Sequence, residues 1–187
     1  MARLHLEGLP SELSASAGLH LLSVYYSCVA REDGGIGYVA REDGELCGFV
    51  VGVWARRRIL SASFRRHPFR VAFWSFREFG LSRLAELFRR SAGAGSACGA
   101  RLRGLSTPSI EIRPLVVDRR RRGCGLGAAL CRHSLVEAQS RGFRSAYLGV
   151  HSENVSAIRC YEKQGFKMTE REGVWVWMRL GLEGGIS

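Results

Sequence analysis

The sequence predicts an α/β (α+β) fold in a single domain over residues 1–187, and three stretches lead to that reading. IGYVARE and ELCGFVVGVW, joined at Asp43-Gly44, have the β-branched and aromatic content of a hairpin and a dipeptide suited to its tight turn. Residues 109–141 run from a strand, SIEIRPLVVD, through a glycine-rich turn into an amphipathic helix. After them come strand SAYLGV, a short helix from about Val155 to Gln164, the segment GFKMTEREG and a terminal strand VWVWMRL.

The other segments are justified in chain order. MARLHLEG suits either a short first strand or a helix start. Residues 11–31 open on a serine able to cap and carry Leu19, Leu22 and Tyr26 at roughly helical spacing, which predicts a helix. Residues 55–91 interleave Phe64, Phe69, Phe73, Trp74, Phe76, Phe79 and Phe88 with arginines, and read as one or two basic amphipathic helices broken near Pro68. The Gly/Ala/Ser-rich stretch 92–108 reads as a loop, so 55–108 is expected to be a helical insertion before the strand at 109. No internal repeat is present.

Composition narrows the function classes. Hydrophobic residues at 46% and charged residues at 24% belong to a globular chain rather than a disordered one. No apolar run approaches the roughly 18 residues of a membrane helix, and MARLHLEGLP lacks the apolar core of a signal peptide, so the expected location is the cytoplasm. Cys28, Cys47, Cys98, Cys124, Cys131 and Cys160 form no C-x-x-C pair and have no zinc-like histidine spacing; they are read as reduced thiols, with no metal. The net charge of +11 calls for an anionic partner or reflects composition alone. Of 28 basic residues only Lys163 and Lys167 are lysines, and 23 glycines accompany the arginines, which favours compositional bias. Nucleic-acid binding through 56–90 is disfavoured, because neither an RNP-like motif nor zinc ligands occur there.

The most informative stretch is RRRRGCGLGA, residues 119–128. A strand, a glycine turn and a helix start bring backbone N–H groups and the positive end of a helix dipole to one point, which suits phosphate. Glycines 123, 125 and 127 allow unusual backbone angles and clear side chains from the approach. A P-loop needs Lys and Ser/Thr after its last glycine, whereas Ala128 and Ala129 follow Gly127. The dinucleotide pattern is formally met by Gly123, Gly125 and Ala128, but too little chain remains for its further strand-helix units, and AYLGVH ends without the ribose-binding acid.

LVVDRRRRGCGLGAAL resembles motif A of the GNAT N-acetyltransferase superfamily, with Arg122, Gly125 and Gly127 at its signature positions. VHSENVSAIRCYEKQGF is similar to the motif B of the same superfamily through Asn154, Ala157, Tyr161, Gly165 and Phe166. On this resemblance motif A spans 109–141 and motif B 145–166. The resemblance implies a central mixed, mostly antiparallel sheet with a splayed parallel strand pair, flanked by helices, and acetyl-CoA as cosubstrate held in the splay. It implies that backbone N–H groups of Gly123, Cys124, Gly125, Leu126, Gly127 and Ala128 hold the pyrophosphate, with Arg122 lining it. Leu115, Val116 and Val117 would pair with the pantetheine arm, and a donor at Val117 would stabilise the oxyanion. Asn154 would contact the cofactor, cap the next helix, or do both.

Transfer to an amine needs a proton acceptor, since an alkyl ammonium of pKa near 10 is almost wholly protonated at neutral pH, and then a proton for the thiolate. By the resemblance Tyr161 is the acid. The position twelve residues before it, where some members keep a basic glutamate, is Gly149. Glu111 lies six residues before Val117, on the same face if no bulge intervenes, and the resemblance to histone-type members that place their base at the matching strand position makes it the first candidate base; its structural alternative is a salt bridge to an arginine such as Arg113. His151 is the second candidate, with capping of the following helix as its alternative, and water alone is a third. Arg119, Arg120 and Arg121 are open between phosphate contacts and solvated charge; Cys124 reads as a small loop residue.

The implied activity is direct acetyl transfer from acetyl-CoA to a primary amine in a ternary complex, with a catalytically weak acyl-CoA-binding or interaction module of the same fold as the alternative. The N-terminal LHLEGLPSELS and the insertion before motif A are similar to bacterial members of cell-surface sugar pathways, which implies an amino sugar or sugar nucleotide as acceptor. Protein N-termini, polyamines and antibiotics stay open as acceptors, as does a homodimer.

Overall fold

The computed structural model describes residues 1–9, 18–31, 34–54, 56–73, 77 and 108–183, without the side chains of 56–58 and 60. Two compact units are present, Met1–Gly34 with Ala55–Ser106, and Gly35–Trp54 with Thr107–Ser187.

In the first unit, α1 (Ala2–Gly8) settles the choice left open by MARLHLEG in favour of a helix. It packs on α2 (Gly18–Val29) through His5, which is 2% exposed and whose Nδ1 lies 2.5 Å from the Tyr26 hydroxyl. A buried imidazole is tolerable there because the phenol supplies a hydrogen-bond partner. The third helix, α3 (Arg56–Arg66), stops before Pro68, since the residue ahead of a proline is pushed out of helical geometry. Helical structure resumes over 68–73, with the Val71 N–H donating to the His67 carbonyl at 2.9 Å. The helix expected at 11–17, the remainder of the basic helices beyond 73 and the loop expected at 92–107 lie outside the described residues, apart from helical residue 77.

The second unit is one six-stranded sheet. Its strands are β1 (Gly35–Glu42), β2 (Glu45–Val53), β3 (Ser109–Val117), β4 (Ser145–His151), β5 (Lys167–Glu172) and β6 (Trp175–Gly181), in the order β1-β2-β3-β4-β6-β5. Every neighbouring pair is antiparallel except β3 with β4, so the sheet is mixed and mostly antiparallel, as the motifs implied. The β1–β2 hairpin turns at Asp43 (φ 50°) and Gly44 (φ 82°), the two positive angles that a right-twisted two-residue turn demands. Two helices, α4 (Leu126–Ser140) and α5 (Val155–Lys163), follow β3 and β4. Leu130, Cys131, Leu135 and Ala138 of α4 meet Ile36, Val50, Ile110, Ile112, Leu148 and Met178 of the sheet in one core. The sequence reading left 167–173 without an element; β5 occupies it, exposed at every residue, so no buried alternation marks it as a strand.

One irregularity shapes the site. Val50 pairs with Leu115 and Gly52 with Ile112, so Arg113 and Pro114 together oppose the single residue Val51. Pro114 cannot donate to a ladder, and a bulge is where a sheet tolerates it. The extra residue reverses the alternation: Ile110 and Ile112 face the α4 core before it, Leu115 and Val117 after it. Glu111 and Val117 therefore lie on opposite faces, which corrects the expectation that held for an unbulged strand. Glycine at 52 has a packing role, because a Cβ there would stand 2.7 Å from Ile110 Cδ1 and 3.0 Å from Ile36 Cγ1. Gly52→Ala is expected to lower the unfolding free energy by about 1–3 kcal/mol in urea titration, the usual cost of overpacking a filled core.

Candidate active site

The parallel pairing of β3 with β4 lasts for three residues, Ser109 with Ser145, Ile110 with Ala146 and Glu111 with Tyr147. The Ser109 and Ser145 hydroxyls close its lower end at 2.6 Å. Beyond Glu111 the two strands have no common ladder, and the bulge at Arg113–Pro114 begins there, bending β3 away. A notch opens between Ile112–Val117 on one side and Leu148–His151 on the other. The Asp118 N–H donates to the Cys47 carbonyl at 2.8 Å, and hydrogen-bonded and non-bonded pairs alternate along an antiparallel ladder. The backbone groups of Val117 and Leu115 are thus turned from β2 into the notch, and those of Val116 toward β2.

At the upper end of β3 the chain tightens into a 3-10 turn, Arg119–Arg121, capped by Asp118. The Asp118 carboxylate accepts from the Arg120 guanidinium at 2.9 Å and from the Arg120 backbone N–H at 2.9 Å. These bonds, the side-chain one foremost, hold its pKa well below the usual carboxylate range, at about 2. Arg121 pairs with Glu42 at 2.7 Å. Arg122 folds back so that its Nε donates to the Val117 carbonyl at 3.2 Å, pinning the turn to the strand end. The arginine run is thereby divided: Arg120 and Arg121 sit on carboxylates, while Arg119 is exposed and Arg122 bridges loop and strand.

Gly123 and Gly125 have φ of 82° and 84°, angles that side-chain-bearing residues avoid, and nothing lies within 4 Å of where their Cβ atoms would be. Gly125 is the N-cap of α4 and provides no capping side chain. The first intrahelical bond runs from Ala129 N–H to the Gly125 carbonyl at 3.0 Å, which leaves the N–H groups of Leu126, Gly127 and Ala128 at the positive end of a 15-residue helix. Gly127 is a place of close approach, its Cβ position being 3.6 Å from Leu115 and Val117 side chains. Cys124 is exposed and its Sγ lies 2.9 Å from the Arg121 carbonyl, so it closes the turn. Open space above unpaired helix amides beside a cation-bearing turn fits a diphosphate. Among the described residues no cluster of three metal-ligating side chains occurs, and no helix is long and apolar enough to cross a membrane.

Asn154 caps α5, its Oδ1 accepting from the Ala157 N–H at 3.2 Å and from the Ser156 hydroxyl at 3.1 Å. Tyr161, on the same helix, packs on the core that Leu115 and Val117 also touch, with its ring edge-on to Phe166 at 5.8 Å. Tyr161 and the side chains of Leu115 and Val117 accordingly share the α4 face. Glu111 sits at the last paired position on the other face, 2% exposed, with Arg113 Nη1 3.7 Å from its Oε1. The salt-bridge alternative for Glu111 is therefore present. His151 Nδ1 accepts from the Glu153 N–H at 3.4 Å inside the turn before α5, whose cap is Asn154 and not His151; in the neutral ring this puts the proton on Nε2 and leaves no free acceptor nitrogen. Gly149 has a cause the sequence reading missed. A Cβ there would meet the Trp177 ring at 2.9 Å, and Trp177 is its direct partner on β6. The indole fills the volume of the missing side chain.

The model of the acetyltransferase (GNAT) family matches residues 6–166. An uncharacterized N-acetyltransferase of Methanocaldococcus jannaschii is 40% identical over 70 residues, 37% of this chain and 30% of that protein. The mycothiol acetyltransferase of Thermobispora bispora is 39% identical over 67 residues, 36% of this chain and 23% of that protein. The chain thus spans less than a third of the length of these curated relatives. In fold it is similar to a GNAT family acetyltransferase of Elizabethkingia anophelis with acetyl-CoA bound, with a TM-score of 0.54, 14% identity, and 96% and 89% of the two chains covered.

Gly125→Ala is expected to cost about 1–2 kcal/mol in chemical denaturation through its left-handed angle alone. Gly127→Ala should be near neutral, because its methyl meets only ordinary contacts. The Asp118 contribution to stability is complete above its unfolded pKa of 3.8 and is lost as the pH falls toward about 2. The stability difference between the natural protein and Asp118→Asn should therefore shrink as the pH is lowered from about 5 to about 2, as read from denaturation midpoints.

Proposed function

The chain belongs to the GNAT acetyltransferase family, and from that premise we propose that it transfers the acetyl group of acetyl-CoA to a primary amine by direct attack in a ternary complex. The observation that carries the reading is the splay beyond Glu111, which turns the backbone of Leu115 and Val117 into a notch above an uncapped helix N-terminus. In this reading the pyrophosphate rests on the N–H groups from Gly123 to Ala128 with Arg122 beside it. The pantetheine amides pair with the β3 edge, as an added strand would. Both units are taken as parts of one acetyltransferase domain working in the cytoplasm.

Each residue then has a task. Glu111 takes a proton from the acceptor ammonium, directly or through water, because only the neutral amine carries the attacking lone pair. The nitrogen bonds to the acetyl carbon, and the Val117 N–H stabilises the resulting oxyanion. The carbon–sulfur bond breaks, Tyr161 gives its proton to the departing thiolate, and the proton lost by the new amide nitrogen restores the phenol. Asn154 holds the start of the helix that presents Tyr161. We extend the reading to an amino sugar or sugar nucleotide as acceptor, on the likeness of LHLEGLPSELS to members of cell-surface sugar pathways.

A CoA-release screen over amine classes tests the reading, with acceptor-dependent thiol release expected and a protein that binds acetyl-CoA but never turns it over contradicting it. Tyr161→Phe should lower kcat about a hundredfold with acetyl-CoA affinity unchanged. Unaltered turnover at saturating substrate would remove the acid role.

A further inference from the structure

Resting on acetyl-CoA in the notch, we propose that Trp177 is the residue that selects the acceptor, and that it selects a primary amine carried on an uncharged ring over a phosphate-bearing one. The direction of approach comes first. On the α4 face Leu115, Val117, Ala157, Ile158 and Tyr161 pack against the core, and the proposed cofactor lies along that side, which leaves the other side to the second substrate. It comes from the opposite face, where Glu111 stands at the closed end.

That face is aromatic along the notch. Tyr147 is directly opposite Glu111; two residues outward the Trp177 ring lies against Gly149, and two further Trp175 stands edge-on to His151 at 5.9 Å. Trp177 is half-buried, held on one side by the glycine backbone, and the absence of a side chain at 149 is what lets the indole lie there. A rigid ring two residues outward from a carboxylate suits an ammonium on a ring-shaped body: the carboxylate takes the charge, and the indole offers a flat face and cation–π attraction. Charge placement separates the two sugar classes. On β5, Glu170 and Glu172 are the register partners of Trp177 and Trp175, whereas the cations Arg179 and Lys167 pair with each other at the level of Tyr147, toward the closed end. A diphosphate projecting past Trp177 toward β5 is repelled by those carboxylates, and an uncharged ring is not.

The test uses the full chain with glucosamine, 2-phenylethylamine and UDP-glucosamine as acceptors, and calorimetry for acetyl-CoA. The natural protein is expected to acetylate a ring amine with higher kcat/KM than UDP-glucosamine. Trp177→Leu should raise the ring amine KM about tenfold, with kcat and acetyl-CoA affinity little changed, and Trp177→Phe should leave KM within about threefold of the natural value. An unchanged KM in folded Trp177→Leu overturns the proposal, as does preference for UDP-glucosamine or acetylation of neither ring amine by a protein that binds acetyl-CoA. Should Trp177→Leu not fold, Trp177→Met takes its place: a rise in ring amine KM of about tenfold supports the proposal and an unchanged KM overturns it. Failure of the natural protein to bind acetyl-CoA refutes the notch reading itself, a separate outcome.

Discussion

The bulge at Arg113–Pro114 is the constraint on which the rest of the site depends. A proline inside β3 removes one ladder donor, and the strand accommodates it by placing two residues against Val51. Parallel pairing with β4 stops at Glu111, one residue before Ile112 and the bulge, so the notch opens where the strand bends. The same extra residue sends Leu115 and Val117 onto the α4 face and leaves Glu111 on the other. The acid and base candidates thereby lie on opposite faces of the sheet. A β3–β4 ladder continued past Glu111 would use up the outward backbone of Leu115 and Val117.

The turn above the notch shows how a strongly basic run is made compatible with a fold. Four adjacent guanidinium groups repel one another, and the structure relieves this by giving Arg120 to Asp118 and Arg121 to Glu42. What remains for a ligand is directional rather than simply cationic: the helix amides of Leu126, Gly127 and Ala128, with Arg122 fixed beside them by the Val117 carbonyl. Preorganised donors of this kind need little rearrangement on binding. The positive angles of Gly123 and Gly125 are the backbone condition for that geometry.

Much of this was legible in the sequence, and the parts that were not have physical reasons. The hairpin and the strand–glycine–helix unit announce themselves because burial imposes a period on their residues and turn chemistry ends them. β5 is exposed throughout, so burial imposes no pattern on it. Face assignment failed at Glu111 because alternation was counted through Pro114, although a proline within a strand is itself a bulge signal. Gly149 was read as a lost carboxylate, while its cause lies 28 positions away in Trp177, a partner that only the β4–β6 register reveals. His5 and Tyr26 gave no signal as a pair, since their contact joins two helices whose separate patterns say nothing of each other.

The central claim is that acetyl-CoA lies along the outward backbone of β3 and on the start of α4. Amide hydrogen exchange with and without acetyl-CoA tests it most directly. Protection is predicted at the N–H groups of Leu115 and Val117 and across Gly125 to Ala128, with Val116, already turned toward β2, unaffected. Binding of acetyl-CoA with protection confined to other residues, or with these amides exchanging as before, would contradict the account.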